Sequence, residues 1–328
     1  MAELIITNGD SAADLLAAAG KRGRILPWRD VLHEGPIIAD LAACRRARVP
    51  YLAGRFLLDE ADVAAEFAAR DAILTAHGGF DRIELWFEHD LFDQLQLLQI
   101  LAFFAEAERR DGLILVQADD FLGRQRADTI LRFAGKARPI GVEDLRLAEA
   151  TWRALAAATP EVVVERLALA DDRLPYVRPA LRRFLEELPA PGSGLGRTEA
   201  TALAGLAEKS STAVDLFRAV LVTEEAAFMG DLSFFRMIED LAFSPVPLID
   251  GLPPPIDEGS ERFRNALLEL SMAGDDVVTG EDDNVALNGI HRWWGGTLLD
   301  ASELAPAVWR YDRGRRRLLP PDADLGSK

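Results

Sequence analysis

The sequence predicts an α/β fold: an N-terminal doubly wound, mainly parallel sheet over residues 1–140, a helical segment over 141–190 and a winged-helix-like α+β domain over 197–320. Three observations predict it. Short β-favouring runs alternate with helical patterns through the first third, as parallel strands joined by crossover helices require. Pro189-Ala190-Pro191-Gly192-Ser193-Gly194-Leu195-Gly196 has the composition of a linker. Beyond it, three helical patterns precede Pro- and Gly-punctuated segments, the layout of a winged helix.

Taken in order, Leu4–Thr7 is a strand ended by Asn8-Gly9-Asp10-Ser11, and Ala12–Ala19 is a helix closed by Gly20. Arg24–Trp28 is a second short strand, followed by a polar loop to Pro36 whose Gly35-Pro36 pair ends regular structure. Asp59–His77 is helical and stops at Gly78-Gly79. Ile83–Phe87 is a strand with Glu88-His89-Asp90 as its exit. Leu91–Arg110 is a long helix with apolar residues on most faces, its less buried stripe marked by Gln94, Gln96 and Gln99. Leu113–Val116 is the most continuous apolar run and reads as a central parallel strand. In the C-terminal part the helical patterns are Thr198–Glu208, Thr212–Val222 and Leu232–Phe243, and hairpins are expected in Val285–Leu299 and Val308–Leu319.

Charge and composition exclude several classes. Lys and Arg number 37 against 54 Asp and Glu, a formal charge of −17 that repels phosphate backbones, so nucleic acid is not expected as a partner. The third helix of the winged-helix-like part offers Arg236 against Asp231, Glu239 and Asp240, a pattern suited to protein interaction or packing. The basic run Arg310–Arg317 reads as a solvated hairpin edge. Cys44 is the single cysteine, which excludes an intramolecular disulfide and points to a reducing compartment. No uninterrupted apolar stretch is long enough to span a membrane, and the N-terminus lacks the apolar region of a signal peptide. Cytoplasmic localisation is the expectation.

In an open α/β sheet, ligands bind outside the carboxyl ends of the strands. Three polar segments fall there: Asn8-Gly9-Asp10-Ser11, Arg29 to Pro36 with Asp30, His33 and Glu34, and Glu88 to Gln94 with His89, Asp90 and Asp93. Histidine beside carboxylate supports general acid/base transfer or coordination of a divalent metal such as Mn, Fe or Zn. His33, His89, Asp90 and Glu34 are therefore the candidate catalytic residues. Asn8, Asp10, Ser11, Arg29, Asp30 and Gln94 are the candidate substrate-binding residues, with Arg29 holding an anionic group. Structural roles are equally open: Asp10 or Ser11 capping the first helix, Asp90 capping the long one with Asp93 at its third position, Arg29 and Asp30 as an ion pair, and His89 as a core imidazole. No compact metal-ligand motif, phosphate-binding glycine loop or nucleophile elbow occurs, which leaves water activation rather than covalent catalysis.

Leu4 to Ser11, Leu26 to Pro36 with Trp28-Arg29-Asp30 and His33-Glu34-Gly35-Pro36, and Leu85 to Leu98 with Trp86-Phe87-Glu88-His89-Asp90 together resemble the bacterial family DUF1835 over roughly the first 120 to 140 residues. The resemblance implies a bacterial cytoplasmic protein and carries no catalytic residue across. The expected function is that of a small-molecule hydrolase or transferase using the His/carboxylate cluster, with a divalent metal as the candidate cofactor. The alternatives are a non-catalytic metabolite sensor or protein-interaction module, with a protein partner or a second copy of the chain, and, third, a DNA-binding regulator.

Overall fold

The computed structural model describes residues 2–169, 172–253, 261–301 and 307–323. Residues 170–171, inside the 141–190 segment, and 254–260 and 302–306, inside the 197–320 domain, lie outside the described residues. The chain divides into two compact units, 1–181 with 295–297 and 182–294 with 298–328.

The first unit holds β1 (Glu3–Thr7), α1 (Asp10–Ala18), β2 (Arg24–Pro27), α2 (Leu41–Phe56), α3 (Glu60–Thr75), β3 (Arg82–Phe87), α4 (Leu91–Glu106), β4 (Leu113–Gln117), β5 (Arg138–Pro139), α5 (Val142–Leu155) and α6 (Glu161–Ala168). One sheet orders them β2-β1-β3-β4-β5. The first four strands are parallel and β5 is antiparallel to β4. The registers Ile5 with Ile25, Ile6 with Leu85 and Leu85 with Leu115 align apolar residues across the sheet. From β1 the chain steps outward to β2 and then returns across β1 to β3. The strand order therefore reverses between β1 and β3, so their carboxyl ends flank the crevice where such sheets bind ligands.

α4 is apolar on most faces, as expected, but its glutamines do not form the less buried stripe. Besides Leu95, Leu97, Leu98, Ile100, Leu101 and Phe104 it buries Gln94, Gln96 and Gln99, at 0, 0 and 3% exposure. The glutamines are not a solvent stripe because each has a partner: Gln94 Nε2 donates to the Glu88 carbonyl at 2.5 Å, Gln96 Nε2 to the Asp30 carbonyl at 2.9 Å, and Gln99 Oε1 accepts from Trp28 Nε1 at 3.0 Å. They tie the loops after β2 and β3 to one rigid helix. α2 is a helix that the sequence patterns do not indicate, since Pro50 lies inside it and its composition gives little amphipathic signal. It is started by Asp40, whose side chain accepts from Ala43 N at 2.6 Å.

α7 (Val177–Leu185) carries the division between the units. The break therefore falls before the proline- and glycine-rich 189–196 segment. That segment is a packed turn in which Ala190 and Leu195 are buried and Ala190 N donates to the Leu195 carbonyl at 2.9 Å.

The second unit continues with α8 (Arg197–Glu208), β6 (Ser211–Thr212), α9 (Ala213–Val222), α10 (Asp231–Ala242), β7 (Ile249–Asp250), α11 (Glu261–Arg264), β8 (Leu267–Leu270), α12 (Met272–Thr279) and α13 (Asn284–Asn288). Its sheet runs β6-β8-β7, antiparallel throughout. Leu203, Leu216, Phe234, Phe235, Ile238, Leu248 and Leu268 share one core. Hairpins β9 (Ile290–Trp294) with β10 (Thr297–Ala301) and β11 (Arg310–Asp312) with β12 (Arg317–Leu319) follow. In the basic run, Arg310 is buried against Asp283 at 2.6 Å, and Arg315 pairs with Asp312 at 2.9 Å. No helix among the described residues is long and apolar enough to cross a membrane.

The turn that delivers β4 to its place beside β3 depends on Gly112, at φ +69°, where a Cβ would collide with the Asp81 carbonyl oxygen. Gly112→Ala is expected to cost about 2 kcal/mol or more of stability, read as a lower urea midpoint.

Candidate functional site

β3 delivers Glu88 to the carboxyl edge of the sheet, and α4 begins immediately beyond it. Asp90 caps that helix, its Oδ1 accepting from Asp93 N at 3.1 Å. The helix requires this capping residue, and the turn it sets brings Glu88, Asp90 and Asp93 together. One ligand atom from each lies within 4.8 Å of the others, and all three residues are buried.

Asn8, at the end of β1, bridges two of them: Nδ2 donates to Glu88 Oε1 at 2.9 Å and to Asp93 Oδ1 at 2.8 Å. The segment after β4 closes the third side, with Leu122 N donating to Glu88 Oε1 at 2.5 Å and Gly123 N at 3.4 Å. Glu88 N donates to Asp93 Oδ2. These bonds satisfy carboxylate lone pairs without supplying positive charge.

That lack separates the cluster from the rest of the interior. Asp30 lies between Arg48 and Arg70, Asp71 meets Arg70 and Arg45, Glu84 meets Lys21 and Arg82, Asp144 meets Arg138, Glu199 meets Arg292, and Glu239 meets Arg236. Every other buried Asp or Glu among the described residues thus has a basic partner. Glu88, Asp90 and Asp93 have none.

The electrostatic consequence is large. At a separation of 4.8 Å, two ionised carboxylates repel by about 3 kcal/mol even at an effective dielectric near 20, before the cost of burial is added. Burial first, and the Glu88 charge second, push Asp90 up to about 8. Burial and both neighbours raise Asp93 well above the usual range, and burial raises Glu88 against the opposing bonds from Asn8, Leu122 and Gly123. The cluster must take up protons or a cation.

The other residues expected at this edge divide by position. Asn8 and Gln94 belong to the cluster, Asn8 by direct bonds and Gln94 through the Glu88 carbonyl. His89 sits half-buried against Phe121 and Tyr176, ring centroids 5.4 and 5.9 Å away, and burial lowers its basicity against the pull of Asp120 and Asp119. Its Nδ1 is buried without a hydrogen-bond partner among the described residues.

Asp10 and Arg29 form an exposed ion pair, at 2.6 and 2.8 Å, and Arg29 also reaches Glu66 at 2.5 Å. Arg29 pairs with Asp10 rather than with Asp30, because Asp30 is turned inward. Asp10 occupies the first turn of α1 and makes no side-chain cap, and Ser11 is exposed beside it. Asp30 is wholly enclosed, with Arg48 Nε at 2.7 Å and Arg70 Nη1 at 3.3 Å, so it holds the loop after β2 rather than facing a ligand. Glu34 is bound by Arg55 Nε at 3.0 Å and lies 3.9 Å from His33 Nε2, while His33 packs on Phe92. His33 and Glu34 are outside the acidic cluster. Glu88, which is central to it, was visible in the sequence only as part of a strand exit; its i, i+2, i+5 spacing with Asp90 and Asp93 was the available signal.

No family model matches the chain, and no curated protein matches it. Among solved structures, it is similar to the Plasmodium falciparum topoisomerase II DNA-binding, cleavage and re-ligation domain at 11% identity and a TM-score of 0.41, over 82% of this chain and 47% of that one. The chain spans about half the length of that protein's chain, and a likeness of this size bears on neither fold nor activity.

The raised carboxyl groups have a signed effect on stability. Unfolded, Asp90 titrates near its ordinary value of about 3.9; folded, at about 8. The folded state therefore holds the extra proton between these values, and the associated stability is lost as pH rises toward 8. Carboxylates held low by basic partners act only below their unfolded range, and the lowered histidines act at and below about 6.5. In chelator-washed protein the urea midpoint is expected to fall between pH 7 and 8, with a shallower slope in Asp90→Asn.

Proposed function

We propose that Glu88, Asp90 and Asp93 hold a divalent cation and that the protein is a cation-dependent hydrolase or transferase acting on a small molecule. The observation that supports this is the absence of a basic partner at these three buried carboxylates, in an interior where every other described buried carboxylate has one. An all-oxygen donor set suits a hard ion of the Mg²⁺ or Mn²⁺ type better than Zn²⁺, which prefers nitrogen and sulfur. Such an ion polarises a substrate oxygen or lowers the pKa of a bound water. The chain's own contribution is placement: Asn8 and the Leu122 amide fix the Glu88 carboxylate, the α4 N-terminus fixes Asp90 and Asp93, and His89, between two of the donors in sequence, packs its imidazole on Phe121 and Tyr176.

Membership of DUF1835 remains part of this reading through the three motifs that converge on the first unit, as does a bacterial cytoplasmic setting. The second unit's order of helix, strand, two helices, strand, short helix and strand, with its β6-β8-β7 sheet, supports a winged-helix-like module. In a DNA reader α10 would enter the groove, but it buries Ser233 through Glu239 and exposes Asp231 and Asp240. This favours packing or protein interaction over DNA reading. A metabolite sensor built on the same cation site is the second reading, distinguished by ligand binding without turnover.

Equilibrium dialysis of chelator-washed protein against Mn²⁺ is expected to give stoichiometric binding, weakened by about tenfold or more in Glu88→Gln and Asp93→Asn and unchanged in His33→Ala. Absence of a stoichiometric ion, or variants that bind as tightly as the parent, would contradict the proposal.

A further inference from the structure

The segment after β4 carries its own charge pattern. Its acidic residues are engaged: Asp119 with Lys136 at 2.5 Å, Asp120 with Arg132 at 2.8 Å and Asp128 with Arg126 at 3.0 Å. Arg124 is left over. Its side chain is exposed and makes no hydrogen bond or ion pair among the described residues, although the chain as a whole has acidic groups in excess. What holds it is an aromatic face, with its guanidinium carbon 4.3 Å from the centre of the Phe121 ring. Phe121 packs in turn on His89, the residue between Glu88 and Asp90.

Arg124 is therefore linked to the acidic cluster by two routes. One is this aromatic contact. The other is the backbone, since the residue before it donates Gly123 N to Glu88 Oε1 at 3.4 Å. A guanidinium stacked by one face keeps its N–H edge available for a planar, bidentate contact with an oxyanion. Ions of the Mg²⁺ type are held by protein carboxylates together with substrate phosphate oxygens.

We infer that the substrate bears a phosphate group and that Arg124, carried on Phe121, is the residue that binds this group beside the cation. This inference rests on the cation reading above and names the substrate class for the same site. The cation and Arg124 together offset the repulsion that the protein's net charge of −17 exerts on an anion, so phosphate binding requires the cation and is tightened by Arg124.

The test is calorimetric titration of inorganic phosphate into the full chain, cation-free and saturated with Mg²⁺, for the parent, Arg124→Ala, Arg124→Lys and Arg126→Ala. The expected result is phosphate binding only with Mg²⁺ present. Arg124→Ala should weaken it at least about tenfold, as loss of one charge-assisted bidentate contact does. Arg124→Lys should restore part of it, and Arg126→Ala, whose arginine is already paired, should leave it unchanged. Mg²⁺ affinity should be the same in all four proteins. If Mg²⁺ binds but Arg124→Ala takes phosphate as tightly as the parent, or phosphate fails to bind the loaded protein, or binds equally without Mg²⁺, the inference about Arg124 is overturned and the cation site stands. If Mg²⁺ does not bind the parent, both are overturned.

Discussion

Placing three carboxyl groups within 4.8 Å of one another inside the protein, at the end of β3, with no basic side chain among them, constrains everything around them. Each group needs bonds to its oxygens, and the supply comes from separate parts of the chain: Asn8 from the end of β1, the Leu122 and Gly123 amides from beyond β4, and the first-turn amide of Asp93. The β1 end, the β3 end and the loop after β4 are consequently drawn onto one point. The positive end of the α4 dipole offsets part of the charge there, typically by less than about 2 kcal/mol per group, and repulsion among fully ionised carboxylates exceeds it. The remaining imbalance gives the cluster its chemistry.

A second buried polar system shows what compensation looks like in the same fold. Asp30 accepts from Arg48 and Arg70, and Arg48 also donates to the Glu34, Pro36 and Val31 carbonyls at 2.9, 3.2 and 2.9 Å. Arg70 lies over the Trp28 and Phe67 rings at 4.0 and 4.1 Å. With Gln96 and Gln99 reaching down from α4, this network fastens the whole loop after β2. Charge is balanced there and the loop is scaffold. The contrast between two buried clusters, one with arginines and one without, marks the first as scaffold and is the ground for proposing ligand chemistry at the second.

Much of this was legible in the sequence because it is local. The strands at Leu4, Ile83 and Leu113 are short apolar runs bounded by turn residues, and Asp90 with Asp93 reads directly as a helix start. Other features were not legible because they depend on partners far along the chain. Asn8 meets Glu88 and Asp93 across 80 and 85 residues, and Asp30 meets Arg70 across 40. Sequence alone cannot say whether a loop aspartate faces an arginine or solvent, so it groups Asp30, His33 and Glu34 with Asp90, whereas only Asp90 joins the cluster. The glutamines of α4 misled for the same reason: side-chain polarity suggested exposure, whereas buried carbonyl and indole partners allow them inside.

The central proposal is that protons and a divalent cation compete for Glu88, Asp90 and Asp93, and its most direct test is proton release on cation binding. Calorimetric titration of Mn²⁺ into chelator-washed protein near pH 7, in two buffers of different ionisation heat, measures it. The account predicts stoichiometric binding with net release of protons, reduced in Asp90→Asn. Binding without proton release, or no binding at all, would contradict it.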